Sequence, residues 1–213
     1  MTEPVSVSGL ADKVRAASPR LGAVRLVVVD GPAGSGKTTL AVALAASLRA
    51  SGPDVAVFHL DDIYEGWAGL DGVGERFAAW VLEPLAAGRP GRYRRYDWAA
   101  GAFAEWCDLP VPDVLVVDGC GAAQRSTDRF AALRIWVEAP APLRLERGIA
   151  RDGEALRAEW QRWMVVEADH FTRESTRARA DVLVDGTAGL MDGTAGLVDG
   201  TAGLLDGTAG LVP

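Results

Sequence analysis

Residues 27–48 read VVVDGPAGSGKTTLAVALAASL, and the fold turns on this stretch. The β-branched run VRLVVVD, Val24–Asp30, has the pattern of a strand buried on both faces, and the segment after Lys37 reads as a helix ended by Gly52. Between them, GPAGSGKT fits the spacing G-x-x-x-x-G-K-[ST]. Gly31 and Gly36 permit the backbone angles that turn successive N–H groups inward. The loop then forms a nest for phosphate oxygens at the positive end of a helix. Lys37, one of only two lysines in the chain, would reach the β- and γ-phosphates as a point charge, and Thr38 would offer its hydroxyl to magnesium. The expected nucleotide contacts are Gly31, Ala33, Gly34, Ser35, Gly36, Lys37, Thr38 and Thr39, with ATP and Mg2+ as cofactors. The plain alternative, a chance glycine turn, requires neither the strand before it nor the helix after it.

Outward from this loop the same alternation continues. VAVFHL, VLVVDG from Val114, LRIWVEA from Leu133 and ADVLVDG read as four further buried strands. Helical stretches separate them, at GERFAAWVLEPLAAG and from Pro142 through the 170s. Strands alternating with helices call for a parallel sheet covered on both faces. The expected class is α/β: a P-loop NTPase, a three-layer sandwich with a five-stranded parallel sheet and a helical lid. Before it, residues 1–22 form an N-terminal extension in which Leu10, Val14 and Ala17 keep helical spacing. The domain built on this loop is expected to span 23–186, with the lid over about 144–175. From Asp185 the chain repeats DGTAGL plus one apolar residue four times. These heptads lack the apolar positions of a coiled coil, so residues 187–213 are expected to be a Gly-rich appendage outside the fold.

Composition narrows the partners. The chain has 213 residues, 49% hydrophobic and 24% charged, enough for one full core. A net charge of −7 and a pI near 4.9 argue against nucleic acid, whose backbone is held by clustered Lys and Arg. No run approaches the roughly 18 apolar residues of a membrane span, and no leader pattern opens the chain, so a cytoplasmic location is expected. Cys107 and Cys120 lack metal-ligand spacing and are expected to be reduced.

Three stretches bear on the chemistry. FHLDDIY ends a strand with Asp61 and Asp62 at the carboxyl edge of the sheet, where a carboxylate can take the proton from an attacking hydroxyl. The alternative is that both acids cap a turn. Asp118 ends a neighbouring strand and suits magnesium, directly or through water. Pro140 and Pro142 open a helix on which Arg144, Arg147 and Arg151 share one face. Such a stripe can close over the nucleotide and neutralise the transferring phosphoryl group, or can be a solvated face.

DGPAGSGKTTLA, HLDDIY, YRRYDW and LVVDG, in this order, resemble the uridine kinase-like branch of P-loop small-molecule kinases, a group that includes nicotinamide riboside kinase, pantothenate kinase and phosphoribulokinase. The resemblance covers about residues 23–185. It implies that Asp61, three residues before the aromatic, is the base, and that Tyr96, Asp97 and Trp98 border the acceptor. The family's acid in the third-strand motif is frequently Glu; here it is Asp118. The family's histidine after the Tyr-Asp-aromatic stretch has no counterpart in YDWAAGAFAEW.

Read on its own chemistry, GRYRRYDWAAGAFAEW allows two arrangements. Tyr93, Tyr96, Trp98, Phe103 and Trp106 could stack on a ring while Arg92, Arg94 and Arg95 hold phosphate or hydroxyls, or the aromatics could complete the core from a helix hairpin. Asp71 is a further candidate for acceptor hydroxyls. His59 and His170 receive no role. The expected activity is transfer of the ATP γ-phosphate to a hydroxyl of a small metabolite, a nucleoside being one candidate. Lys37 is the clamp, Thr38 and Asp118 hold the metal, Asp61 is the base, and Arg147 and Arg151 belong to the lid. The competing expectation is a nucleotide-binding switch without a small-molecule acceptor, which needs mobile loops and a partner surface rather than a concave site. No nucleic-acid or membrane partner is expected, and a homo-oligomer is left open.

Overall fold

A computed structural model of the chain describes residues 6–187, so the heptad-repeat expectation falls, from residue 188 onward, outside the described residues. Five parallel strands form the central sheet: β1 (Arg25–Asp30), β2 (Val55–His59), β5 (Val114–Asp118), β6 (Ala131–Glu138) and β7 (Val182–Asp185), in the spatial order β2-β5-β1-β6-β7. The strand leading into the glycine loop is therefore central. Its loop opens at the middle of the carboxyl edge, where doubly wound sheets bind ligands.

Successive residues of β1 face opposite layers, as the strand period requires. Leu26 and Val28 join one apolar cluster with Phe58, Phe77, Leu82 and Trp163; Val27 and Val29 join another with residues of α1 (Val7–Ala16) and α2 (Lys37–Arg49). On α2 the buried Leu40, Leu44 and Leu48 recur every four residues, and each fully buried leucine contributes about 1.5–3 kcal/mol. The sheet is thus covered on both faces, in the three layers expected. No helix among the described residues is long and apolar enough to cross a membrane.

The second face is built by α3 (Leu70–Phe77), which runs on through a widened turn, Ala78–Leu82, into α4 (Glu83–Ala86). Pro84 has no N–H to return to the carbonyl four residues earlier, and the widened turn directly precedes it. Next comes an antiparallel hairpin, β3 (Gly91–Asp97) and β4 (Ala102–Leu109). This corrects the helix-hairpin alternative. The strand alternation was hard to read because the register shifts between Arg94 and Tyr96, a bulge that breaks the period of two. The lid region is two helices, α5 (Ala141–Asp152) and α6 (Arg157–Glu174), separated at Gly153 and followed by the short α7 (Thr176–Arg179).

Candidate active site

The glycine loop leaves β1 under tight constraint. Asp30 is fully buried, and its carboxylate accepts the N–H groups of Gly31 (2.7 Å), Gly121 (3.0 Å) and Ala123 (2.8 Å), tying the loop after β1 to the loop after β5. Burial raises the Asp30 carboxyl to about 6, against those three bonds and the charge of Lys37. A side chain at Gly31 would lie 2.0 Å from the Val137 carbonyl oxygen, and its φ of 139° lies in the region that favours glycine. The loop ends at Gly36, the N-cap of α2, with no side chain capping the helix. Its first turn thus keeps backbone donors for an anion.

Lys37 and Thr38 open α2 at the floor of a cavity. The Lys37 ammonium donates to the Pro32 carbonyl at 3.0 Å and lies 3.8 Å from Cys120 Sγ. Burial pulls its pKa down, and the surrounding acids, Glu167, Asp61 and Asp30 among them, more than reverse that, so the amine stays charged. Both cysteines are free; burial pushes the Cys120 thiol well up, which leaves it a neutral wall group. The Thr38 hydroxyl donates to Asp118 Oδ2 at 2.6 Å. The other Asp118 oxygen lies 2.5 Å from His59 Nδ1, and this bond raises the imidazole to about 9 against its partial burial. His59, which the sequence left without a role, is therefore a direct neighbour of the carboxylate at the end of β5.

Asp61 and Asp62 sit in a single helical turn, Leu60–Ile63, at the end of β2. Asp61 lines the cavity, where water reaches it through the open mouth while protein atoms crowd it from behind. Crowding, and then the charge of Asp118, push its carboxyl upward; Lys37, Arg151 and His59 oppose this. The direction is what matters, since access to water screens the effect. Asp62 is raised to about 6, by burial first.

The arginine stripe divides its work. Arg144 forms a buried ion pair with Glu167 of α6 at 2.7 Å. The pair grips one residue of the glycine loop from both sides: Glu167 accepts the Ala33 N–H at 2.8 Å, and Arg144 donates to the Ala33 carbonyl at 3.2 Å. Arg147 donates to the carbonyls of Gly34 (3.2 Å) and Gly186 (3.0 Å). Arg151 lines the cavity, pairs with Asp152 and lies 5.7 Å over the Trp160 ring.

Other expected residues are dispersed. Trp98 lines the cavity and donates to the Asp61 carbonyl at 3.3 Å. Tyr96 packs on Trp98 and Phe103 outside the lining, and Asp97 caps the hairpin turn through the N–H groups of Ala99 and Ala100. Asp71 is not brought to the cavity: it lies on α3 facing Arg173 at 3.3 Å, because the helix turns it toward the outer surface. Ser35 is buried beneath the loop, and its hydroxyl meets no partner. The hairpin arginines are engaged locally, Arg94 by the Phe103 and Ala104 carbonyls, Arg95 by Glu105 and Arg92 by the Trp106 ring.

Sequence reading passed over Tyr64, Trp67, Trp160 and Trp163, which complete the cavity wall. Trp160 and Trp163 stand at helical spacing on α6, a signal shared by any core-facing pair.

No protein-family model matches this chain, and no curated protein matches it in sequence. Solved structures do match in fold. A "possible uridine kinase" from Bacillus stearothermophilus superposes with a TM-score of 0.62 at 21% identity, covering 84% of this chain and 97% of that one. A "putative fructose transport system kinase" from Silicibacter sp. TM1040 gives a TM-score of 0.62 at 20% identity, covering 84% of this chain and 98% of that one. At these identities the likeness is one of fold: the chain has the α/β fold of a uridine kinase-like P-loop kinase.

Proposed function

We propose that this chain is an ATP-dependent kinase that transfers the γ-phosphate to a hydroxyl of a small acceptor. The observation that carries the reading is the convergence on one cavity of a charged Lys37, a Thr38–Asp118 pair and the carboxylate of Asp61. That both structures similar in fold are named as kinases supports the same reading.

The glycine loop and the open first turn of α2 receive the phosphates through backbone N–H groups. Lys37 would offer its charge to β- and γ-oxygens and to the transferring group. A hydroxyl and a carboxylate are oxygen donors suited to a hard cation, so Thr38 and Asp118 are the residues to hold Mg2+, which when bound neutralises phosphate charge. Asp61 takes the proton of the acceptor hydroxyl, whose oxygen attacks the γ-phosphorus from the side opposite ADP. Burial, and then the charge of Asp118, push its carboxyl upward, which makes its carboxylate a stronger base than an ordinary surface acid. Arg151 faces the same space and offers a guanidinium to the developing charge, while Arg144 and Arg147 hold the loop that receives it.

The test is Lys37→Ala. Transfer should be abolished and ATP binding weakened, with the melting temperature kept within the range of ordinary single substitutions. A Lys37→Ala protein that binds ATP as the parent chain does would remove the phosphate-loop assignment and the kinase reading with it.

A further inference from the structure

If Asp61 receives a hydroxyl, the rest of the acceptor must lie in what remains of the cavity, and that remainder is largely indole. Trp67 comes from the short turn Gly66–Ala68, Trp98 from the hairpin turn, and Trp160 and Trp163 from α6. The Trp67 ring stands at the centre, 5.9 Å from Trp98, 6.3 Å from Trp160 and 6.1 Å from Trp163. The three interplanar angles, 75°, 68° and 75°, describe a box of indoles packed edge to face on one another, which offers the cavity a wall rather than a gap of its own.

The polar atoms of this half are mostly committed. The Tyr64 hydroxyl donates to the Cys120 carbonyl at 2.7 Å, Trp98 Nε1 to the Asp61 carbonyl, and Trp160 Nε1 to Asp152 at 2.9 Å. Trp163 Nε1 is buried out of reach of solvent and meets no partner. Among the four indoles, Trp67 is the one left to donate to a ligand.

This inventory discriminates among acceptors. A sugar brings several hydroxyls, and each one buried without a partner costs about 1–3 kcal/mol. Uridine brings two carbonyls and an N–H on its base as well as the ribose hydroxyls, with the same consequence. A cationic ring meets a box whose Trp160 face already carries Arg151, in a cavity that also holds charged Lys37. A flat, neutral ring with one acceptor atom leaves nothing unsatisfied and gains contact with the indole surfaces.

We infer that the acceptor is an alcohol carried on a flat, neutral heteroaromatic ring, its hydroxyl at Asp61 and its ring against the cavity side of the tryptophan box. This inference rests on the kinase reading. The alcohol O–H bond breaks as the Asp61 carboxylate takes the proton. The alcohol oxygen forms the new bond to the γ-phosphorus, the bond from that phosphorus to the β,γ-bridging oxygen breaks, and ADP leaves with that electron pair.

The experiment uses the full chain with Mg2+ and ATP. ADP release is measured with hydroxymethyl derivatives of pyridine, pyrimidine and quinoline, with uridine, and with fructose. In parallel, quenching of tryptophan fluorescence by each compound is titrated without ATP. Expected are a kcat/KM for at least one hydroxymethyl heteroaromatic about tenfold or more above uridine and fructose, and saturable quenching by the same compound. Trp67→Leu, at a half-buried position, should raise its KM about tenfold and leave ATP affinity unchanged. A preference for uridine or fructose, an unchanged KM in Trp67→Leu, or quenching no stronger for the aromatic alcohols overturns the ring inference. Selective saturable quenching without ADP release from any alcohol leaves the ring site standing and overturns the kinase reading instead.

Discussion

Asp61 and Asp62 are adjacent in the chain and differ in what surrounds them. Asp61 faces the cavity and feels Lys37 and Arg151, whereas Asp62 is raised to about 6 by burial, against the opposing charges of His59 and Arg95. If Asp61 is the base, Asp61→Asn should lower kcat by ~10²–10⁴ with ATP affinity retained, and Asp62→Asn by much less. The pH profile carries a second signature. A base must be ionised, so kcat falls as the pH drops through its pKa, and an upward shift moves that acidic limb above the ordinary carboxylate range. Rate profiles for the parent chain and both variants check this. A limb that survives in Asp61→Asn and vanishes in Asp62→Asn would transfer the role to Asp62. At this scale the sequence was most informative about residues next to a strand end. It was silent on His59 and Asp30, because a histidine or aspartate in a buried strand carries no mark of the partner it meets from another segment.

The α5–α6 pair behaves as a brace on the glycine loop. Arg144 and Glu167 are 23 residues apart in the chain, and Ala33, which both of them hold, is more than 100 residues away from either. Glu167→Gln keeps the shape and can still accept the Ala33 N–H, but leaves the Arg144 charge buried without its counter-charge. The expected loss is about 3–5 kcal/mol of unfolding free energy, against about 1 kcal/mol or less for an exposed pair. Added ATP should restore part of the loss, since a ligand that binds only the folded loop stabilises it by mass action. Denaturant unfolding with and without ATP decides this, and a loss within about 1 kcal/mol would mean that the pair is a surface ornament of the lid. The stripe of arginines on one helix face was legible from spacing. That two of its members hold loop carbonyls was not, because spacing fixes the face of a helix and not what is packed against it.

Across the whole molecule, the last described strand closes back on the first loop. The Gly186 N–H donates to the Glu138 carbonyl at 2.8 Å, Arg147 donates to the Gly186 carbonyl, and a side chain on Gly186 would lie 1.9 Å from the Ser35 carbonyl oxygen. A chain ending at Thr187 keeps every contact named here and should melt as the full chain does. One ending at Val184 loses these bonds and should be less stable by about 1–3 kcal/mol, with weaker ATP binding, as scanning calorimetry and an ATP titration would record. Equal melting of all three chains would show that Gly186 contributes nothing to the loop. What the sequence by itself determined was local in origin: the order of strands and helices, the glycine loop with Lys37 and Thr38, and acids at the ends of β2 and β5, all written in periods and spacings within about fifteen residues. The tertiary structure alone decided which strands are neighbours, that the bulged segment 91–109 is a hairpin, and that Trp67, Trp98, Trp160 and Trp163 meet in one box. Those outcomes depend on contacts between distant segments, and a side chain's own neighbours in sequence do not encode what it will meet once the sheet has closed.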